Sequence, residues 1–311
     1  MYETLERVRI SLLNSDRFRR FAKQGAGAIV FRSPAYRRFR LAKNYLTSYF
    51  NCRRDPMGFE DVETFCLFVG HNKSGTSMIG SLLDAHPNVT VADEVGALEY
   101  VSAGFSRDQL FHVLLKASRR EFLKGRITAR RLTPYSYLVP GQWQGRHSRL
   151  QVIGDGASGS TTRRFATEPD LLQRLQKVLG GVNLKLIQVI RNPYDPISVS
   201  MVRGRRTFEN AVEQYFGNCE TLIKLRQDLN STNLFAVRYE DFVIRPELHL
   251  TQLCRYLGIE PHDAYLRACA SIVHDSPDRN RQMVIWDPQW IETVEDRIEQ
   301  YDFLRGYSFE Q

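Results

Sequence analysis

Short apolar runs alternate with amphipathic stretches along most of the chain. A continuous apolar run, which is typical of a strand buried on both faces, covers residues 65–69. Shorter or interrupted apolar runs at 152–153, 184–190 and 234–237 also predict strands. Apolar residues at helical spacing occur over residues 78–83, 99–131, 171–179, 208–229 and 248–257. Strands that alternate with helices predict a parallel sheet with helices on both faces. We therefore expect an α/β fold of three layers around a central parallel sheet.

The N-terminal part of the chain shows only the helical pattern. Apolar residues recur at helical spacing from Leu5 onward, with arginines between them, and a second helical stretch begins near Ser33. The turn signal Asp-Pro-Met-Gly then ends this part. The pattern predicts a basic helical extension over residues 1–58 and an α/β domain over residues 59–311.

The positive charge is concentrated in the same N-terminal part. Residues 1–54 contain 13 of the 43 Lys and Arg residues but only 3 of the 35 Asp and Glu residues, which accounts for the net charge of +8. A basic segment attracts nucleic acid, anionic lipid or an acidic partner, or it is a solvated helix packed on the main domain. We expect no nucleic-acid function. A weak membrane or partner contact and the oligomeric state stay open.

The composition argues against a disordered, collagen-like, membrane-spanning or secreted protein. Hydrophobic residues make up 42% and charged residues 25% of the chain, as in an ordinary folded domain. No apolar stretch approaches the roughly 20 residues that span a bilayer, and no signal-peptide layout is present. The five cysteines show no CxxC spacing, which favours reduced thiols over a metal site or a disulfide framework. We expect a soluble, cytoplasmic protein.

A candidate phosphate loop, residues 70–77, separates the first strand from the first helix of the domain. Free amide groups and the positive end of a helix suit an anion at such a position. The loop adds a lysine, hydroxyl donors and a glycine that allows close approach, at Lys73, Ser74, Gly75, Thr76 and Ser77. It is not a Walker A loop, in which the lysine directly follows the second glycine. A capped turn with a surface lysine is the alternative, but the strand–loop–helix context favours phosphate binding, and we expect a P-loop-like fold.

The residues of this loop, followed by Leu-Asp-Ala-His-Pro at 83–87, resemble the donor-binding loop of PAPS-dependent sulfotransferases. The resemblance is closest to the tyrosylprotein, carbohydrate and bacterial branches, and it covers residues 64–305. PAPS is 3'-phosphoadenosine 5'-phosphosulfate. The resemblance implies that Lys73 to Ser77 hold the 5'-phosphosulfate. It also implies transfer of the sulfuryl group to a hydroxyl or amine of an acceptor, with release of the 3',5'-bisphosphate PAP.

A second phosphate anchor follows the strand at 184–190. An arginine at a strand end can bind a phosphate with two donors or form a salt bridge with a carboxylate. The segment resembles the family's 3'-phosphate motif, which implies that role for Arg191 and, twelve residues later, for Arg203. The family's serine falls at Val199 in this chain. The resemblance therefore implies Ser198 or Ser200 as the hydroxyl donor, and Ser198 is the preferred candidate.

Two weaker matches concern the late strand and a C-terminal loop. Tyr239 follows the strand at 234–237, as does a tyrosine near the 3'-phosphate in the family. Arg279 and Arg281 precede Trp286 in a segment that resembles the loop closing over the nucleotide. A solvated basic loop is the alternative for these two arginines.

The acceptor must lose a proton as it attacks sulfur, and a carboxylate near the sulfate can accept it. Glu94 lies 21 residues beyond Lys73, and a glutamate at this offset resembles the general base of the tyrosylprotein branch. Asp93 is its neighbour, and His71 is the alternative base. Lys73 is expected to stabilise charge on the bridging oxygen, so no metal is required.

Two alternatives to sulfuryl transfer stay open. One is a P-loop kinase or nucleotide hydrolase with Asp155 as a metal-holding carboxylate, against which the missing Walker lysine argues. The other is an inactive binding module that uses the basic N-terminal segment. The acceptor is a small molecule, a saccharide, a lipid or a peptide tyrosine, and its pocket is expected within residues 100–145.

Overall fold

The computed structural model of the chain describes residues 33–54, 58–127, 135–204, 206–229 and 231–310. The helix predicted from Leu5 lies outside these residues. The strands are β1 (Thr64–Gly70), β2 (Val89–Ala92), β3 (Val152–Asp155), β4 (Asn183–Ile190) and β5 (Leu234–Arg238). The helices are α1 (Pro34–Arg54), α2 (Thr76–Leu83), α3 (Ala97–Ser102), α4 (Arg107–Leu123), α5 (Gly159–Thr167), α6 (Leu171–Leu179), α7 (Tyr194–Gly204), α8 (Phe208–Asp228), α9 (Tyr239–Ile244), α10 (Pro246–Leu257), α11 (Asp263–Ala270) and α12 (Pro288–Ile298).

Within the described residues, the five strands form one parallel sheet in the order β2-β3-β1-β4-β5. β1 lies at the centre, paired with β3 on one side and with β4 on the other. All four apolar runs of the sequence are strands, which confirms the predicted parallel sheet. β2 was not predicted, because its four residues directly follow the predicted end of α2 and form no run long enough to read as a strand.

Helices cover both faces of the sheet, as predicted. Successive side chains of a strand point to opposite faces, and β1 therefore contributes to two cores. Phe65 and Leu67 belong to a core with α3, α4, α6 and α8, whereas Cys66 and Phe68 belong to a core with α2, α10 and α11. Every residue of β1 is buried, which explains the continuous apolar run.

The helical region predicted over residues 99–131 contains two helices in its described part, which ends at residue 127. α3 ends at Ser102, and Gly104 follows with a left-handed φ of 79°. Ser106 then caps α4, accepting a hydrogen bond from the backbone of Gln109, whose side chain accepts one from the Ser106 backbone. This capping box starts a new helix, and its Ser-x-x-Gln spacing was visible in the sequence.

A buried carboxylate joins several elements near the end of α2. Asp84 accepts hydrogen bonds from the backbone N–H of Val91 and Gly145 and from the Ser118 hydroxyl, at 2.7, 3.0 and 2.8 Å. It also forms a buried ion pair with Arg126. Burial raises the pKa of Asp84 to about 6, although Arg126 and the hydrogen bonds lower it. The pair holds the irregular segment after α4 against β2.

The described part of the N-terminal segment, α1, packs on the domain. The amide nitrogen of Asn44 lies 2.9 Å from the Tyr100 hydroxyl, and the Gln109 side chain donates to Ser48. The boundary between an extension of residues 1–58 and a domain of residues 59–311 stays a prediction. Among the described helices, none combines the length and the apolarity that crossing a bilayer requires.

Candidate active site

The predicted site lies at the carboxyl ends of β1, β4 and β5. Because parallel strands end at the same edge of a sheet, the segments after these strands meet there. β1 ends at Gly70, β4 at Ile190 and β5 at Arg238. The sheet therefore brings together the phosphate loop (residues 70–77), Arg191 and Tyr239.

The phosphate loop presents unused hydrogen-bond donors. Within the described part of the chain, no group accepts a hydrogen bond from the backbone N–H of residues 74–77. The Ser74 hydroxyl is fully buried and likewise has no partner there. Gly75 caps α2 with a φ of 94°, and no side chain caps the helix. Free amides at a helix start, with a buried hydroxyl beside them, form a cradle for an anion.

The first turn of helix α5 and the residue before it form hydrogen bonds with this loop. The Ser158 hydroxyl donates to the carbonyl of His71 at 3.0 Å and lies 3.3 Å from the Thr76 hydroxyl. The backbone N–H of Gly70 donates to the Thr162 hydroxyl at 2.8 Å. α5 was not predicted from the sequence, although the run of small and hydroxyl residues at 158–162, which starts it, is a signal for close packing.

His71, the alternative base, is buried inside the fold. Its ring stacks on Tyr215 with 3.7 Å between ring centroids, and its Nε2 atom lies 2.9 Å from the Tyr215 carbonyl. A carbonyl only accepts, so Nε2 carries the proton. Burial lowers the pKa of His71 to about 4, which keeps the ring neutral near pH 7. These contacts favour a role in supporting the loop over one in proton transfer.

Arg191 and Tyr239 meet at the loop. The guanidinium of Arg191 donates to the carbonyl of Lys73 at 3.0 Å and lies 4.6 Å from the centre of the Tyr239 ring. It also donates to the carbonyl of Asp278 at 2.5 Å. The Tyr239 ring lies against Gly75, because a Cβ on this glycine would be 2.6 Å from its Cε2 atom. The structure therefore brings together three predicted parts of the site: the loop, Arg191 and Tyr239.

The residues predicted on α7 differ in their surroundings. Ser198 is fully buried, and its hydroxyl accepts a hydrogen bond from the Trp286 indole at 3.0 Å. Ser200 is partly exposed, and Arg203 is exposed near the end of the helix. The hydroxyl of Ser198 is therefore occupied by an internal hydrogen bond. Ser200 and Arg203, in contrast, have surface that solvent or a ligand can reach.

The two arginines of the C-terminal loop also differ. Arg281 is buried and forms a two-pronged ion pair with Asp195, at 3.2 and 3.0 Å. It donates as well to the carbonyls of Ser308 and Phe309. Arg279 is exposed and lies 3.4 Å from the carbonyl of Glu310. The structure thus places Arg281 in an internal network rather than at the loop surface.

The turn that carries the predicted base is held by Asp155. The carboxylate of Asp155 is fully buried, and burial raises its pKa to about 6 while hydrogen bonds lower it. It accepts hydrogen bonds at 2.6 to 3.3 Å from the backbone N–H groups of Val95, Gly96, Ala97 and Ala157. Asp155 therefore caps α3 and fixes the preceding turn, a role that sequence analysis missed.

The two carboxylates on the turn are not equivalent. Glu94 is exposed and has a left-handed φ of 48°. The Oδ1 atom of Asp93 is buried and has no hydrogen-bond partner among the described residues. Burial and the neighbouring Glu94 raise the pKa of Asp93, and the hydroxyl of Ser77 lowers it. The turn thus offers one exposed carboxylate, Glu94, and one partly buried carboxylate, Asp93, beside the loop.

Residues 67–263 match the Sulfotransferase family. The chain belongs to the sulfotransferase family. The matched region contains the phosphate loop, Arg191, Tyr239 and the Asp93–Glu94 turn, whereas α1 and both C-terminal arginines lie outside it. Sulfuryl transfer is the function that this membership supports, and no observation favours a kinase, a nucleotide hydrolase or an inactive module.

Solved structures of sulfotransferases resemble this sulfotransferase only distantly. The sulfotransferase domain from the curacin biosynthetic pathway has a TM-score of 0.48 at 16% identity, over 78% of this chain and 98% of that one. Sulfotransferase STF9 from Mycobacterium avium has a TM-score of 0.47 at 11% identity, over 88% of each chain. Mouse sulfotransferase SULT7A1, complexed with PAP, has a TM-score of 0.41 at 14% identity, over 79% and 84%. No curated protein has a significantly similar sequence. The family assignment rests on the matched region.

Proposed function

We propose that this sulfotransferase takes the sulfuryl group from PAPS and transfers it to a hydroxyl or amine of an acceptor, releasing PAP. The observation that carries the proposal is the convergence of free donors at the end of β1. The amides of residues 74–77 and the buried Ser74 hydroxyl lack partners, and they lie at the start of α2. A doubly charged phosphosulfate satisfies such donors.

In this proposal the loop stabilises the negative charge that develops on the leaving phosphate. Lys73 is exposed at the loop and places its ammonium group there as a mobile point charge. The hydroxyls of Ser74, Thr76 and Ser77 add donors, and that of Thr76 is oriented by Ser158. Donors that are already in place cost no reorganisation during the reaction. Cationic side chains and amides supply the neutralisation without a metal ion.

The 3'-phosphate is proposed to bind between α7 and the C-terminal loop. Arg191 already reaches toward that loop through the carbonyl of Asp278, and a phosphate would replace this weaker acceptor. The exposed Arg203 and Arg279 complete the cationic surroundings. Ser200 is the better candidate hydroxyl than Ser198, because Ser198 is buried against Trp286.

Tyr239 and Arg281 are proposed to act by positioning. Tyr239 packs against Gly75 and supports the guanidinium of Arg191 from one side. Arg281 is tied to Asp195, which itself lies 3.6 Å from the Nε atom of Arg191. This network orients Arg191 without a direct contact between Arg281 and the nucleotide.

Glu94 is the proposed general base. As the bond from sulfur to the phosphate oxygen breaks and the bond to the acceptor oxygen or nitrogen forms, its carboxylate takes the acceptor proton. Its exposure allows an acceptor to reach it. Asp93 is a second candidate, because its Oδ1 atom is buried, unpaired within the described residues and beside Ser77.

Two variants separate the candidate bases. With labelled PAPS and acceptors from each chemical class, Glu94→Gln should lower the sulfation rate by roughly a hundredfold or more, because general-base catalysis contributes about that much. Its affinity for PAP should stay unchanged in calorimetry. Asp93→Asn should retain activity, and Glu63→Gln, an exposed glutamate before β1, is the matched control. If Asp93→Asn instead loses the sulfation activity and Glu94→Gln keeps it, Asp93 is the general base.

Calorimetry tests the donor itself. The wild-type chain should bind PAP in the absence of magnesium, and Lys73→Ala and Arg191→Ala should each weaken this binding by about tenfold or more. Magnesium-dependent binding of ATP, with no affinity for PAP, would refute the proposal.

A further inference from the structure

Helix α1 exposes a line of large apolar side chains, here called the α1 ridge and consisting of Phe39, Leu46 and Phe50. Their exposed fractions are 65%, 56% and 64%. At about 100° per residue, the three positions fall within about 40° of one another around the helix. Ser48, on the opposite side of the helix, is buried. The ridge therefore points away from the domain.

The same helix is strongly basic. α1 contains six basic residues and no acidic residue. Arg37 and Arg40 form ion pairs with Glu99, which attach the helix to the domain. The other basic residues are exposed, and no ion pair is found for them within the described part of the chain: Arg38, Lys43, Arg53 and Arg54. Uncompensated cations thus lie on both sides of the α1 ridge.

The charge decides which partner can cover the ridge. A second copy of the helix would bring four more unpaired positive charges against the four already there. Residues 1–32 contain seven basic and three acidic residues, so they too carry a net positive charge. Nucleic acid would neutralise the cations but offers no apolar interior for three neighbouring side chains. An anionic lipid surface supplies negative headgroups and an apolar layer at adjacent depths.

We propose that α1 docks this sulfotransferase on an anionic lipid bilayer. The helix lies in the plane of the interface, with Phe39, Leu46 and Phe50 inserted below the headgroups. The ridge spans about 16 Å along the helix axis, given the rise of about 1.5 Å per residue. The cations on either side contact lipid phosphates and carboxylates. This docking does not depend on the identity of the sulfate donor or of the base.

Cosedimentation of the full chain with lipid vesicles tests the proposal. The chain should bind vesicles of phosphatidylcholine with phosphatidylserine and leave vesicles of phosphatidylcholine alone unbound, and added salt should weaken the binding. The double variant Phe39→Ser/Phe50→Ser should lose roughly tenfold or more in affinity, because two aromatic side chains no longer enter the apolar layer. Ile244→Ser/Leu248→Ser, which removes apolar side chains with exposed fractions of 64% and 45% elsewhere, should bind like wild type.

A charge variant tests whether the cations of α1 bind the anionic lipid. Arg38→Gln/Lys43→Gln/Arg54→Gln should lose the preference for phosphatidylserine while keeping the wild-type thermal unfolding temperature. Equal binding to both kinds of vesicle, or wild-type binding by Phe39→Ser/Phe50→Ser, would overturn the proposal. A dimer in light scattering that dissociates in this double variant would overturn it in favour of a second copy. Binding of RNA in place of vesicles would overturn it in favour of nucleic acid.

Discussion

Gly75 lies where the phosphate loop, Tyr239 and Arg191 meet, and replacing it by alanine tests the geometry of the site. Its φ of 94° lies in the left-handed region, which residues with a Cβ adopt only at a cost. A Cβ at this position would be 2.6 Å from Cε2 of Tyr239 and closer still to Cδ2. Tyr239 is only 5% exposed and is flanked by Arg191. The ring therefore cannot move aside without breaking other contacts.

The expected cost has two parts. The left-handed backbone costs about 1–2 kcal/mol once a Cβ is present. Overpacking against the Tyr239 ring adds about 1–3 kcal/mol. Gly75→Ala should therefore lower the free energy of unfolding by about 2–5 kcal/mol. Gly181→Ala is the matched control, because Gly181 has a φ of 101° but no heavy atom within 4 Å of an added Cβ. It should lose only the backbone part, about 1–2 kcal/mol.

Urea denaturation of four variants measures these parts: Gly75→Ala, Gly181→Ala, Tyr239→Ala and the double variant Gly75→Ala/Tyr239→Ala. Removing the ring removes the clash. The double variant should therefore be more stable than the sum of the two single effects predicts, by about 1–3 kcal/mol. The Gly75→Ala variant should also lose PAP affinity in calorimetry, because the loop amides shift.

Two results would refute this reasoning. If Gly75→Ala and Gly181→Ala unfold at the same urea concentration, the Tyr239 ring does not constrain the loop. If the effects of Gly75→Ala and Tyr239→Ala add without coupling, the two residues are not in contact as the structure describes.

Three further predictions concern groups around the site. Arg126→Ala leaves the Asp84 carboxylate buried without its cation, so it should cost about 3–5 kcal/mol in urea denaturation, whereas the exposed Arg149→Ala should cost less than about 1 kcal/mol; similar losses would contradict this. Because burial lowers the pKa of His71 from 6.5 to about 4, the unfolded state binds this proton more tightly. As pH falls from 6.5 to 4, the free energy of unfolding of wild type should thus fall by up to roughly 3 kcal/mol more than that of His71→Gln. If the two free energies of unfolding change in parallel with pH, the lowered pKa of His71 is excluded. Asp155→Asn loses acceptors for backbone amides, so it should cost about 1–3 kcal/mol and reduce sulfation more than PAP affinity; an equal loss of both would argue against a role in holding the turn.

The centre of the fold follows directly from the sequence. The apolar run at 65–69 is continuous because both faces of β1 are buried. β4 contains Lys185 and Gln188 and is buried without interruption only over its last five residues. The loop after the run at 65–69 was predicted as an anion site because it follows a buried strand, contains a glycine and precedes a helix. β2 and the helices α5, α9, α11 and α12 escaped prediction. β2 has only four residues, and α5 has two apolar side chains, Phe165 and Ala166, which form no helical stripe.

The roles of individual charged residues depend on the tertiary structure. In the sequence, Arg191 and, from a weaker match, Arg281 are both candidate phosphate ligands, and Asp155 is a candidate metal ligand only under the kinase or hydrolase alternative. In the structure, Arg191 lies at the phosphate loop, while Arg281 pairs with Asp195 across 86 residues of sequence. The Asp155 carboxylate accepts hydrogen bonds from backbone N–H groups of a turn that precedes it by about 60 residues.

The sequence by itself predicted the alternation of strands and helices in an α/β fold, the strand–loop–helix context of residues 70–77 and the family. These features depend on local periodicity and on motifs of adjacent residues. Only the tertiary structure decided which charged side chains are accessible at the end of the sheet and which are paired inside the protein. A buried charge needs a partner, and that partner comes from a distant part of the chain brought close by packing.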